Sequence, residues 1–99
     1  MVRKLVAAQL DAVTGMFGAL ADGPRLRILM LVVGKERSVS EIATLRREPM
    51  TTVSARLQVL HAARLVSRRR QGRSILYSIA DEHVLTLIDN AIAHACERH

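Results

Sequence analysis

The sequence predicts a mainly α-helical fold carrying one β-hairpin, and three observations support it. Hydrophobic residues make up 49% of the 99 residues, yet there is one Phe, one Tyr and no Trp. The core must therefore be aliphatic, a composition that favours packed helices over a β-sandwich. Apolar residues recur at spacings of three and four along most of the chain, which is the helical period. After Leu65 that period gives way to alternation around Gln71-Gly72, as two strands joined by a tight turn require. A chain of this length suits one domain over residues 1–99, without linkers.

Val6, Leu10, Val13, Phe17 and Leu20 form the apolar stripe of a first helix, despite Gly15 and Gly18. A second helix is expected after Asp22, with Pro24 in its opening turn, Leu26, Ile28, Leu29 and Leu31 within it, and Gly34 as its left-handed stop. Ser38 and Glu41 have capping-box spacing, in which the hydroxyl takes an orphan N–H and the carboxylate reaches back to the cap. They open a short third helix with Ile42 and Leu45 inward. Pro49 fits the first turn of a fourth helix, where its missing N–H costs nothing, and Val53, Leu57 and Leu60 mark that helix's buried stripe. The hairpin arms are Leu65–Arg70 and Ser74–Ile79, with Ile75, Tyr77 and Ile79 on one face and an arginine-rich tip. Asp81 is placed to cap a last helix whose Val84, Leu87, Ile88, Ala91, Ile92 and Ala95 make a broad apolar face. A monomer would expose too much of the first and last helices, so a homodimer is expected through Leu10, Val13, Phe17, Leu87, Ile88 and Ile92.

The net charge of +6 is unevenly distributed: from Arg46 to Arg73 eight arginines face Glu48 alone, and the rest of the chain sums to −1. Concentrated arginine suits a polyanion, because it displaces counterions condensed on phosphates. Two short helices, the second with small polar residues opposite its buried stripe, followed at once by a basic hairpin, describe a winged helix-turn-helix that binds double-stranded DNA. With Val53, Leu57 and Leu60 inward, Thr51, Ala55 and Gln58 lie opposite, and Ser54 and Arg56 on the flanks. These five are expected to meet the major groove. Arg68, Arg70 and Arg73 on the wing are expected to reach phosphates or a minor groove. An enzyme is not expected, since no Ser/His/Asp order, phosphate loop or cofactor fingerprint is present. Cys96 is the sole cysteine, so no disulfide and no thiolate-based zinc site forms within one chain. A reducing cytoplasm is the expected setting, and Gln9 and Asp11 interrupt the first apolar stretch well short of a signal or membrane segment.

Asp81, His83, His94 and Glu97 place oxygen and imidazole donors at the two ends of the last helix. His83 and His94 are eleven residues apart, roughly 16 Å along a helix axis, too far for one ion to bridge. Two antiparallel copies across a two-fold axis would bring Asp81 and His83 of one chain beside His94 and Glu97 of the other, giving two equivalent sites. Two histidines and two carboxylates favour Zn²⁺ if the site closes as a tetrahedron, and Co²⁺ or Ni²⁺ if water or His99 expands it. The plainer alternative makes Asp81 a helix cap, the histidines surface residues and Cys96 a packing residue.

The chain resembles the ArsR/SmtB metal-sensing repressors. The likeness rests on Leu20-Ala21-Asp22 with Arg25-Leu26-Arg27-Ile28-Leu29, then Ser38-Val39-Ser40-Glu41-Ile42-Ala43, then Thr52-Val53-Ser54 with Leu57 and Leu60, and a wing from Leu65-Val66 through Gln71-Gly72-Arg73 to Tyr77-Ser78-Ile79. The resemblance implies a homodimer joined through first and last helices, bound to an imperfect palindromic operator and released by an inducer. One branch of the family uses an Asp-x-His pair and a His-x-x-Glu or His-x-x-His pair in the last helix, and the resemblance matches them to Asp81, His83, His94 and Glu97. In that family the histidine matching His94 donates its second N–H to a backbone carbonyl at the position of Arg64. Two departures stand out. Relatives usually carry a Leu-Gly-Leu-Ser type turn where this chain reads Arg46-Arg47-Glu48-Pro49-Met50. The third-helix cysteines of some relatives are replaced by Ser38-Val39-Ser40, which disfavours thiolate sensing of arsenite, lead or cadmium. A regulator of the same fold that senses a non-metal signal, or none, is the alternative that metal titration separates.

Overall fold

The computed structural model describes residues 6–97. In chain order the elements are α1 (Ala7–Leu20), α2 (Gly23–Leu31), β1 (Arg37–Ser38), α3 (Val39–Arg46), α4 (Met50–Ala62), β2 (Val66–Gln71), β3 (Ser74–Ile79) and α5 (Glu82–Ala95). The three strands form one antiparallel sheet in the order β1-β3-β2. This is a winged helix-turn-helix: α3 and α4 form the helix pair, and β2 and β3 the wing.

Side-chain caps start the helices where the sequence supplies them. Asp22 Oδ2 accepts the Arg25 N–H at 3.0 Å and Asp81 Oδ1 the Val84 N–H at 3.0 Å, so each satisfies an orphan donor of the first turn. Arginines close the other ends. Arg25 donates to the carbonyls of Ala19 (2.9 Å) and Gly18 (3.1 Å) at the end of α1, and Arg37 to that of Leu31 (2.6 Å) at the end of α2. These contacts give the Ala19 and Leu31 carbonyls a donor, add a second to Gly18, which also accepts the Ala21 N–H, and place positive charge at the negative end of each helix.

The core lies where α2, α3 and α4 meet the base of the hairpin and the first half of α5. Ile28, Leu29, Ile42, Val53, Leu57, Leu60 and Leu65 are fully buried, and Val66, Tyr77, Val84 and Ile88 nearly so. Covering a side chain such as Leu57 contributes about 1.5–3 kcal/mol, so the α4 stripe fixes which face of that helix turns outward. No polar or charged residue is buried among the described residues.

Several sequence expectations need correction. Leu45 faces solvent at 51% exposure rather than the core, because α3 has only two turns and Ile42 and Ala43 occupy its buried side. The capping box is half formed: Ser38 Oγ accepts the Glu41 N–H at 3.2 Å, but the Glu41 carboxylate turns to Arg37 at 2.7 Å instead of back to the cap. Pro49 is the N-cap of α4, one position before its first turn. α2 stops at Leu31, and Gly34, at φ +75°, turns the chain that follows. In the hairpin Gln71 pairs with Ser74, so the two-residue loop is Gly72-Arg73. A glycine at φ +60° in the first loop position is what the twist of a tight hairpin favours. The first arm begins at Val66, one residue later than expected, and Ile75 is exposed while Tyr77 is buried, since the arm outruns the core towards the tip. β1 leaves no signal in the sequence, a two-residue strand being too short to show a period.

Candidate functional site

Three surfaces carry the residues that the sequence singled out. On α4, Thr51, Ala55 and Gln58 are exposed and Ser54 is half-buried, on the side away from Val53, Leu57 and Leu60. Together with Val39 and the exposed Met50 they line a shallow groove. Met50 is an apolar residue on a face that the sequence pattern marks only by its small and polar ones. Arg56, at the flank, forms an ion pair with Glu48, and Arg46 lies 3.4 Å from the other Glu48 oxygen. The turn between α3 and α4 thus holds its one carboxylate between two guanidinium groups. A buried Arg46 Nε finds no hydrogen-bond acceptor there.

Both helices of the pair end on an arginine in the left-handed region, Arg47 at φ 55° and Arg64 at φ 61°. After α4 the Leu65 N–H donates to the Leu60 carbonyl at 2.9 Å and the Arg64 N–H to that of His61 at 3.0 Å. After α3 the Glu48 N–H reaches the Ala43 carbonyl at 3.1 Å and the Arg47 N–H that of Thr44 at 3.3 Å. Each is a Schellman closure, which usually employs glycine. The Arg46-Arg47-Glu48-Pro49-Met50 turn therefore closes α3 without a glycine, Arg47 adopting the left-handed conformation.

The wing presents Arg68, Arg70 and Arg73, all exposed and, among the described residues, without a hydrogen bond or ion pair. Arg68 lies opposite Tyr77 and Arg70 opposite Ile75, so both stand on one face of the hairpin. Arg69 falls on the other face and is held by Glu36 at 2.7 Å through both Nε and Nη2. The Arg69 hydrogen bonds hold the Glu36 carboxyl below its usual range, and Glu36 in turn raises Arg69.

The third surface is α5. Asp81 Oδ1 lies 3.6 Å from His83 Nδ1 at its start, and Glu97 Oε2 lies 3.6 Å from His94 Nδ1 at its end. The histidine side chains are 98% and 81% exposed. The structure therefore brings the four residues together as two separate pairs, not as one cluster. Among the described residues no group of three or more His, Cys, Asp or Glu side chains could hold a metal ion. This chemistry fits half of a zinc site at each end, one imidazole and one carboxylate, with Asp81 also committed to the helix cap. Cys96 is exposed, and His99 lies outside the described residues. At its cap end α5 meets the end of α4: Asp81, His61, Arg64 and Arg68 line one polar cleft.

Between the two pairs one face of α5 is apolar. Phe17, Leu20, Leu26, Leu87, Ile88 and Ile92 border an open apolar groove of about 390 Å³. Phe17 is 54% exposed, Leu10 53% and Ile92 44%, and Ala19 alone of the described α1 residues is buried. Ile88, expected at a dimer contact, is committed to the chain's own core. Among the described residues no helix is long and apolar enough to cross a membrane.

Known proteins share this arrangement. The description "Bacterial regulatory protein, arsR family" matches residues 22–68, which run from the cap of α2 through α4 into the wing. The "Transcriptional repressor SmtB homolog" of Synechocystis sp. is 36% identical over 90% of this chain and 67% of its own length. A "Cadmium resistance transcriptional regulatory protein CadC homolog" of Staphylococcus aureus is 31% identical over 86% of this chain and 71% of its own. Among solved structures, the homodimeric winged helix-turn-helix DNA-binding domain (fragment 1–100) of a possible ArsR-family regulator from Mycobacterium bovis superposes with a TM-score of 0.85. It is 39% identical, covering 100% of this chain and 96% of that fragment. The matched segment is the one that builds the helix pair, and the superposition extends to α1 and α5. The chain belongs to the ArsR family of bacterial regulatory proteins, a family of transcription regulators and not of enzymes.

Proposed function

We propose that the chain is a single DNA-binding domain that represses transcription as a homodimer and is released from a palindromic operator by a metal ion, zinc first, bound between subunits. The observation that carries this reading is the pairing on α5, where an Asp–His pair and a His–Glu pair stand at opposite ends of a helix whose apolar side is open. An antiparallel second copy would cover that side and complete each pair to two imidazoles and two carboxylates, a tetrahedral zinc donor set. The homodimeric state of the Mycobacterium bovis domain and the cadmium in the name of the CadC homolog support the two halves of the reading.

In this reading Thr51, Ser54, Ala55, Arg56 and Gln58 meet base edges and sugar-phosphate in the major groove, and Arg68, Arg70 and Arg73 hold phosphates from the wing. A cytoplasmic setting follows from a DNA target. Metal would fix the angle between two α5 helices, and so the separation of the two α4 helices. Half-sites lie one helical turn apart, so a small change of that angle misplaces one reading head. Asp81 shares a cleft with Arg64 and Arg68, which gives the metal end of α5 a short path to the DNA-binding elements. By linkage, the factor that zinc costs in operator affinity is the factor that operator costs in zinc affinity.

The test is operator binding by the purified protein with zinc and with chelator. Zinc is expected to weaken binding, while His83→Ala and His94→Ala proteins stay bound in its presence. Tight zinc binding at these residues with unchanged operator affinity would make the site structural and refute the sensor reading. Cobalt and nickel titrations, read by their visible absorption, report which ion the site selects.

A further inference from the structure

Arg69 differs from the other wing arginines in having its guanidinium fork already filled. Nε and Nη2 each meet a different Glu36 oxygen at 2.7 Å, and Nη2 also lies 3.3 Å from Gln71 Oε1. This bidentate geometry is the one by which arginine grips a phosphate. Glu36 stands immediately before β1, while Arg69 is on β2, and β3 runs between those two strands. The contact therefore reaches across the sheet, between residues 33 apart in sequence. Strand alternation places it on the face opposite Arg68 and Arg70.

We propose that Glu36 is a positioning residue that withholds Arg69 from the DNA backbone and braces the wing across the sheet, limiting the wing's phosphate contacts to Arg68, Arg70 and Arg73. The inference rests on the DNA-binding reading of the wing. Its consequence is a ceiling on the electrostatic grip of the wing: a cation kept from phosphate lowers affinity for operator and arbitrary duplex alike, and with it the salt dependence of both. An exposed pair of this kind adds little to stability, so its removal tests DNA binding on a folded protein.

The experiment measures affinity for a duplex of arbitrary sequence between about 50 and 200 mM salt and reads the slope of log K against log salt, which changes by about 0.9 for each phosphate that the protein neutralises or gives up. Glu36→Gln is expected to steepen the slope by about 0.9, through the freed Arg69. Arg69→Gln and the double variant Glu36→Gln/Arg69→Gln are expected to keep the wild-type slope. Asp89→Asn, the same charge change on the exposed part of α5, should also leave it unchanged. Arg70→Gln should flatten it. A flattened slope in Arg69→Gln, or an unaltered one in Glu36→Gln, overturns the proposal while leaving the wing reading intact if Arg70→Gln behaves as expected. An unaltered slope in Arg70→Gln overturns both.

Discussion

Replacing Phe17 with alanine should dissociate the dimer, and the size of the effect follows from its exposure. A phenylalanine covers roughly 150–250 Å² when fully buried. At 54% exposure, about 100 Å² of Phe17 is left for a second copy to cover. At about 25 cal/mol per Å² this amounts to ~2.5 kcal/mol per protomer, and two-fold symmetry doubles it to ~5 kcal/mol per dimer. That is an upper bound equivalent to roughly three and a half orders of magnitude in the dimer Kd. Sedimentation equilibrium over a range of concentrations measures it directly. Leu45→Ala is the control, since Leu45 is as exposed as Phe17, at 51%, but lies on α3, outside the α1–α5 face. If Phe17→Ala associates no more weakly than Leu45→Ala, or if the unaltered protein is a monomer at micromolar concentration, the dimer face is wrongly placed. Operator affinity should fall with association in Phe17→Ala, because one recognition helix reads only one half-site.

Two further outcomes are expected. Arg64→Gly should raise stability to urea by about 1 kcal/mol at fixed protein concentration, because glycine removes the cost of a left-handed Cβ; a loss of stability would contradict the closure assigned to α4. Asp81 has two duties, cap and metal donor, which two substitutions separate. Asp81→Ser keeps a capping oxygen and should weaken only zinc binding, whereas Asp81→Ala should also cost about 1 kcal/mol of stability without metal. Unchanged zinc affinity in both variants, by competition with a chromophoric chelator, would remove Asp81 from the site.

The helical period of α4 was legible because that helix buries a continuous stripe, and Val53, Leu57 and Leu60 lie where their spacing puts them; that of α5 was legible although only Val84 and Ile88 are buried and the rest of its apolar face is open. The Asp81 cap was legible for a similar reason, since capping acts over three residues and needs no tertiary contact; at Asp22 only the start of α2 was read. Legibility failed where distant residues compete for a group. Glu41 has the spacing of a capping box, but Arg37 offers its carboxylate a charge-assisted bond, stronger than one to a backbone N–H. Leu45 fits a helical period, but two turns of α3 offer only one narrow buried side. The donor pairs on α5 were legible as types and spacing, and the structure adds that each pair is local while the two remain apart. The Arg69–Glu36 pair was invisible, because no local pattern joins residues 33 positions apart.

The arginine count from Arg46 to Arg73 accordingly overstates the charge offered to a polyanion. Arg46 and Arg56 share Glu48, and Arg69 is taken by Glu36. Arg47 and Arg64 close α3 and α4 in the left-handed conformation, which leaves both side chains exposed. Five of the eight are left exposed and outside these ion pairs, three of them, Arg68, Arg70 and Arg73, on one strand and its loop. In the proposed dimer such a footprint would meet DNA at two places, separated by the distance that an α1–α5 interface sets. A shift of that interface would then misalign both wings together with both reading helices. Diffuse charge over the whole face would tolerate such a shift, because some arginines would always find phosphates. Gathering three of the five exposed arginines on the wing would therefore make operator affinity sensitive to the angle between subunits, which is the property that the proposed switch at the interface requires.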